Sequence, residues 1–174
     1  IMNKGLIIVW LVCFLIYVCN RLVRKEFFRL RGELPKCFKT SHQEIGEREV
    51  ADMFTHEDAC VLEIGGGAGN VSTIIQKKLK NPYNHVVIQP LSGDKSEMPM
   101  FGGINVLKMN KTACNSKFHI IDHILKKGEG KELLKLVSRP FDTIVCDCEG
   151  CLYDEYKKNP DLFEKVKMIQ VERD

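Results

Sequence analysis

The sequence predicts an α/β domain in three layers, helices on both faces of a mostly parallel sheet. Short β-branched runs alternate with helix-like stretches along the chain, an order that makes each crossover a helix and each strand pair parallel. A glycine-rich turn, Glu63-Ile64-Gly65-Gly66-Gly67-Ala68-Gly69, joins the first run to the helix that follows it. The runs also end on polar residues, which in open parallel sheets is where ligands are met.

The elements follow in order. Ser41-His42-Gln43-Glu44 reads as a capping box, so a helix opens there and runs to about Phe54. Cys60 to Ile64 is the first strand, and Asn70 to Lys80 the helix after the glycine turn. Asn81-Pro82-Tyr83-Asn84 stops that helix, and His85 to Gln89 is a strand that Pro90 closes. A loop-rich stretch resumes as helix from Val106 to Thr112, and Lys117 to Ile121 is the third strand. Gly130 to Val137 is a short helix ended by Ser138-Arg139-Pro140, and Phe141 to Cys146 is the fourth strand. Leu152 to Val166 is helical with a break at Asn159-Pro160, and Lys167 to Glu172 is the fifth strand.

Length and composition are those of one globular domain, and a net charge of +3 says little about partners; no nucleic acid is expected. The eight cysteines show no framework spacing, and free thiols in a reducing compartment account for them better than disulfides. Gly5 to Cys19 is an unbroken apolar run, short for a span of about 20 residues but workable where Arg21 snorkels. No small-x-small cleavage site follows it, which favours an uncleaved anchor over a signal peptide. Arg21, Arg24, Lys25, Arg29 and Arg31 follow the run while only Lys4 precedes it, so the remainder is expected in the cytosol. The resulting division is an N-terminal transmembrane anchor over 1–24, a basic juxtamembrane linker over 25–40 and the α/β domain over 41–174.

The glycine spacing selects among cofactors. G-x-G-x-x-G would need glycine where Asn70 or Ser72 stands, and no Gly-Lys-Ser/Thr makes a phosphate loop. What remains is E-x-G-x-G-x-G at a strand end, the form in which methyltransferases hold S-adenosylmethionine; a glycine turn without a ligand is the other reading. Glu63 is then expected to accept from turn amides or the cofactor's ammonium, with Gly65, Gly67 and Gly69 leaving room for it. Gln89 stands where a ribose-binding acid is expected, and Asp122 ends the third strand. Asp147 and Glu149 follow the fourth strand, where a hydroxyl acceptor would need a base; a turn that caps the next helix explains the pair equally well. Cys146, Cys148 and Cys151 lack a fourth donor of matching spacing, and His119 and His123 have ligand spacing only on a helix, so no metal site is expected. Asp147-x-Glu149 also matches the metal-binding acids of nucleotide-sugar glycosyltransferases, which have no need of the glycine turn.

Taken together, Val61 to Gly69, Val86-Val87-Ile88-Gln89-Pro90, Phe141 to Gly150 with its Asp147-Cys148-Glu149-Gly150, and Met168-Ile169-Gln170-Val171-Glu172 resemble the FkbM-type methyltransferases. The resemblance covers Val50 to Asp174. It implies a Rossmann-like methyltransferase fold, S-adenosylmethionine as cofactor, and O-methylation of a small hydroxylated or sugar acceptor. The chain departs from the family at Gln89, where an acid is common, and at its end, where such domains continue through a helix and an antiparallel strand pair. A C-terminally truncated domain is therefore expected, and Ile1 ahead of Met2 agrees with an incomplete reading frame. With a neutral amide at Gln89, a weakened or inactive binding module is the alternative function.

Overall fold

The computed structural model describes residues 36–38, 45–90, 103–148 and 150–172. The anchor and most of the basic linker lie outside them, as do Ser41 to Glu44, Leu91 to Gly102 and Glu149. No helix among the described residues is long and apolar enough to cross a membrane.

Helix α1 (Ile45–Phe54) precedes strand β1 (Val61–Ile64). Helix α2 (Asn70–Lys78), strand β2 (His85–Ile88), helix α3 (Gly103–Ala113) and strand β3 (His119–Ile121) follow. Helix α4 (Gly130–Leu134), strand β4 (Thr143–Cys146), helix α5 (Cys151–Lys158), a 3-10 turn (Pro160–Phe163) and strand β5 (Met168–Val171) complete the order. All strand pairs are parallel, in the order β3-β2-β1-β4-β5. The chain walks outward from β1 to β3 and then crosses back to place β4 against β1. That reversal opens a crevice at the carboxyl ends of β1 and β4, the topological switch point of an open sheet.

The central strands are buried along their whole length and the edges are not. Every residue of β1, β2 and β4 is buried, whereas β3 is half-buried and β5 alternates half-buried with exposed. Period-two alternation then sorts the core. Leu62, Ile64, Val86, Ile88, Ile144 and Cys146 face a cluster completed by Leu133, Phe141 and Leu162. Val61 and Val145 face α1 and α2 through Ala51, Val71, Ile74 and Ile75. Val87 meets Leu107 of α3 and Phe118.

The expected strands and crossovers are found where the sequence places them, with ends shifted by a few residues. The helix expected over 152–166 stops at Lys158, because Pro160 holds Asn159 out of helical geometry (φ −137°). Asn159 is fully buried, and its Oδ1 accepts from Gly130 N at 3.0 Å, tying α5 to α4. The expectation of free thiols is not met throughout. Cys37 is bonded to Cys114 and Cys148 to Cys151, with Cα separations of 5.1 and 5.7 Å that suit a bridge, while Cys60 and Cys146 are free. Both pairings depend on where the turns bring the cysteines, which spacing alone does not reveal.

Beneath α2 lies a polar network in an otherwise apolar layer. Glu63 shares the face of Val61, so its carboxylate enters the core: Ser72 Oγ donates to Oε1 and His85 Nε2 pairs with Oε2, each at 2.9 Å. Gln76 settles the tautomer. Its Oε1 accepts from Lys117 N, so its amide donates both to Pro82 O and to His85 Nδ1, leaving Nε2 to carry the proton toward Glu63. Glu63→Ala strands two buried partners, and we expect a loss of about 3 kcal/mol in urea unfolding.

Candidate active site

The turn after β1 is shaped by what crowds it. Gly65 has φ +90°, and a Cβ there would overlap the carbonyl oxygen of Asp147. Gly65 N donates to Ile88 O at 2.9 Å and Asp147 N to Ile64 O at 2.8 Å, so the turn is fastened to both neighbouring strands. Leu107 of α3 packs against Gly66 and Gly69, and Asn110 Nδ2 donates to Ala68 O at 2.9 Å. These two α3 residues hold the turn from outside. The sequence carries no signal for them beyond an apolar helical face interrupted by one asparagine.

Two cavities flank Asp147. The first, of ≈420 Å³, opens at the carboxyl ends of β1, β2 and β4 and is lined by Gly65, Gly67, Gln89, Ile124, Asp147 and the first turns of α5. Its volume is in the range of small-molecule sites. The second, of ≈300 Å³, lies toward β5 and is lined by Glu47, Asp147, Gln170 and Glu172 among others. Asp147 is common to both.

The expected site residues divide accordingly. Gly65, Gly67, Gln89 and Asp147 meet at the first cavity. Gln89 Oε1 accepts from Gly67 N at 2.6 Å, so its oxygen is already engaged by the turn. Gly69 sits at the N-terminus of α2 with φ +88°, against Leu107. Glu63 is drawn into the network under α2 and lines the second cavity rather than the first. Asp122 ends β3 on the surface, pairing with Lys108 at 3.5 Å and His123 at 3.6 Å, and its carboxyl is held low first by the hydrogen bond with His123. His123 also pairs with Glu129 at 3.3 Å, and His119 lies apart on β3. Glu149 is outside the described residues.

Glu47 and Glu172 were not expected at the site. Their carboxylate oxygens and that of Asp147 all lie within 4.8 Å of one another. Hydrogen bonds with Asp147 and then with Glu47 hold the Glu172 carboxyl below the usual range. A glutamate at the end of the fifth strand was the one legible trace of this cluster.

The first cavity is of small-molecule size and is reached by the turn without side chains at Gly65 and Gly67, whose N–H groups are engaged by Ile88 O and Gln89 Oε1. No protein-family model matches the chain, and no curated protein matches it in sequence. Among solved structures it is similar to an O-methyltransferase from Bacillus cereus in complex with SAH (TM-score 0.51, 14% identity, covering 77% of this chain and 56% of that one). It is also similar to a putative O-methyltransferase from Klebsiella pneumoniae (TM-score 0.50, 13% identity, 87% and 67% covered). A third is cofactor-bound Rv0187 from MTB (TM-score 0.50, 16% identity, 86% and 63% covered). The fold is thus the Rossmann-like methyltransferase fold, and the chain spans 56% to 67% of the length of these three proteins.

At the far wall of the first cavity, burial raises the Glu155 carboxyl, only partly opposed by the Asn159 amide. A carboxyl whose folded value exceeds its unfolded one stabilises the fold at acid pH, and that contribution is lost as pH rises through the folded value. Glu155→Gln should therefore raise the melting temperature at neutral pH and have little effect below about pH 4.3, the unfolded glutamate value. Calorimetric melts across this range test the sign.

Proposed function

We propose that this chain is an S-adenosylmethionine-dependent methyltransferase of FkbM type that O-methylates a small hydroxylated or sugar acceptor. The observation that carries the reading is Asp147, which forms the wall between a cofactor-sized cavity floored by the glycine turn and a second, acid-lined cavity. Gly65, Gly67 and Gln89 would hold the cofactor, whose sulfonium supplies an electrophilic methyl group when bound. The chain's own part is to align the acceptor across Asp147, exclude water and take up the hydroxyl proton. Asp147 is the carboxylate placed to accept that proton. We further propose that residues 1–24 tether the domain to a membrane, with the catalytic domain cytosolic.

A second reading, a methyltransferase-like binding module of weak or no activity, is favoured by the bond between Gln89 and Gly67. Calorimetry of the full chain with adenosylmethionine separates the two, and no heat at millimolar cofactor would sink the enzyme reading. Gln89→Glu would keep a now charge-assisted bond to Gly67 N–H and present its second oxygen to ribose hydroxyls, so binding should tighten about tenfold. Asp147→Asn should lower turnover by about 100-fold while leaving cofactor affinity within a factor of about 3. Equal losses in both would instead make Asp147 a cofactor ligand.

A further inference from the structure

The sulfur atoms of Cys146, Cys148 and Cys151 converge at the end of β4, and the methyl-transfer reading uses none of them. Cys146 ends β4 and Cys148 lies in the bend just past it, packed against the same apolar cluster. Gly150, with φ +73°, turns the chain back so that Cys151 starts α5 beside them. Cys146 Sγ lies 3.3 Å from Cys148 Sγ and 4.0 Å from Cys151 Sγ. In tetrahedral zinc thiolates, with bonds of about 2.3 Å, sulfurs stand about 3.8 Å apart. The two distances from Cys146 bracket that value, while Cys148 and Cys151 are bonded to each other and must be reduced and move apart before all three can ligate.

The surroundings also suit a cation. Cys146 is buried on the apolar face of the sheet, while Cys148 and Cys151 are half-buried and line the first cavity beside Asp147 and Asp154. Three sulfur donors with their open side on a cavity make a three-ligand site, the arrangement in which a fourth position is left to water or substrate. A fourth cysteine or histidine, the donor that the spacing lacks, is not needed for such a site.

We propose that the reduced protein binds one thiophilic d10 cation, zinc being the prototype, through Cys146, Cys148 and Cys151, with the fourth coordination position open to the first cavity. The Cys148–Cys151 bond found in the structure is the oxidised form of the same site. A dithiol reductant takes it to two thiols and becomes a cyclic disulfide, two electrons and two protons passing to the protein sulfurs. The cation then displaces the three thiol protons to solvent. Oxidation by a small disulfide reverses the sequence and expels the ion.

The proposal rests on sulfur positions and not on methyl transfer, so its test needs no substrate. The full chain, reduced with a phosphine and stripped of metal, is titrated with Co²⁺ under anaerobic conditions. One ion per chain should bind with strong thiolate-to-cobalt charge-transfer absorption and the visible bands of a tetrahedral site, both abolished by one equivalent of Zn²⁺. Cys146→Ser should weaken binding about tenfold or more and remove about one third of the charge-transfer intensity. Cys60→Ser and Cys114→Ser should change neither. Where Cys146→Ser fails to fold by circular dichroism, Cys148→Ser at the cavity surface serves in its place. Absence of the charge-transfer band in fully reduced protein overturns the proposal and leaves a redox pair only. A band that survives both cysteine variants undiminished overturns it as well.

Discussion

The close passage of the β1 turn against the backbone of Asp147 is the contact on which the rest of this structure depends. Gly65 can adopt its positive φ and admit the Asp147 carbonyl because it lacks a Cβ, and Asp147 N in turn closes the β1–β4 ladder on Ile64 O. Two segments more than eighty residues apart are thereby locked at the switch point of the sheet. The cofactor-sized cavity, the acid-lined cavity and the cysteine cluster all radiate from that junction. A side chain at position 65 would push β4 away and disturb all three together.

Around this junction the fold places polar groups with different degrees of commitment. Glu63 is held by Ser72 and His85, which ties α2 to the sheet, and it lies at the wall of the second cavity. Gln89 is engaged through its oxygen, which braces Gly67. Asp147, Glu47 and Glu172 bring their carboxylates within 4.8 Å of one another beside the second cavity, where the hydrogen bonds hold Glu172 below the usual range. The difference in engagement follows from depth in the sheet. Groups within a strand must be satisfied by the core, whereas groups past its end can face a cavity.

Much of this was legible in the residues. The glycine turn, the strand order of polar ends and the alternation of runs with helices predicted a parallel α/β sheet and located the site at one edge of it. Gly65, Gly67, Gln89 and Asp147 do meet at one cavity. Glu63 and Asp122 were legible as strand-end acids but not in their surroundings. Whether a carboxylate faces a ligand or a neighbour depends on which helix lies over it. Asp122 ends an edge strand and finds Lys108 and His123 at the surface, and nothing local in the sequence distinguishes it from Asp147 at the end of a central one.

The sequence by itself determined the class of fold, because period-two burial, helix periodicity and turn chemistry are local and survive without knowledge of the partners. It also determined the nature of the turn, since glycine spacing is a statement about backbone clearance. The tertiary structure decided what each polar and sulfur-bearing residue does. Glu47 comes from α1 and Glu172 from beyond β5, and they meet Asp147 because β4 lies between β1 and β5 in the sheet. Three cysteines whose spacing lacks a fourth donor converge because a strand end, a left-handed glycine and a helix start fold them together. Such meetings depend on distances across the fold, and those distances are set by packing, which is a property of the whole chain rather than of any segment in it.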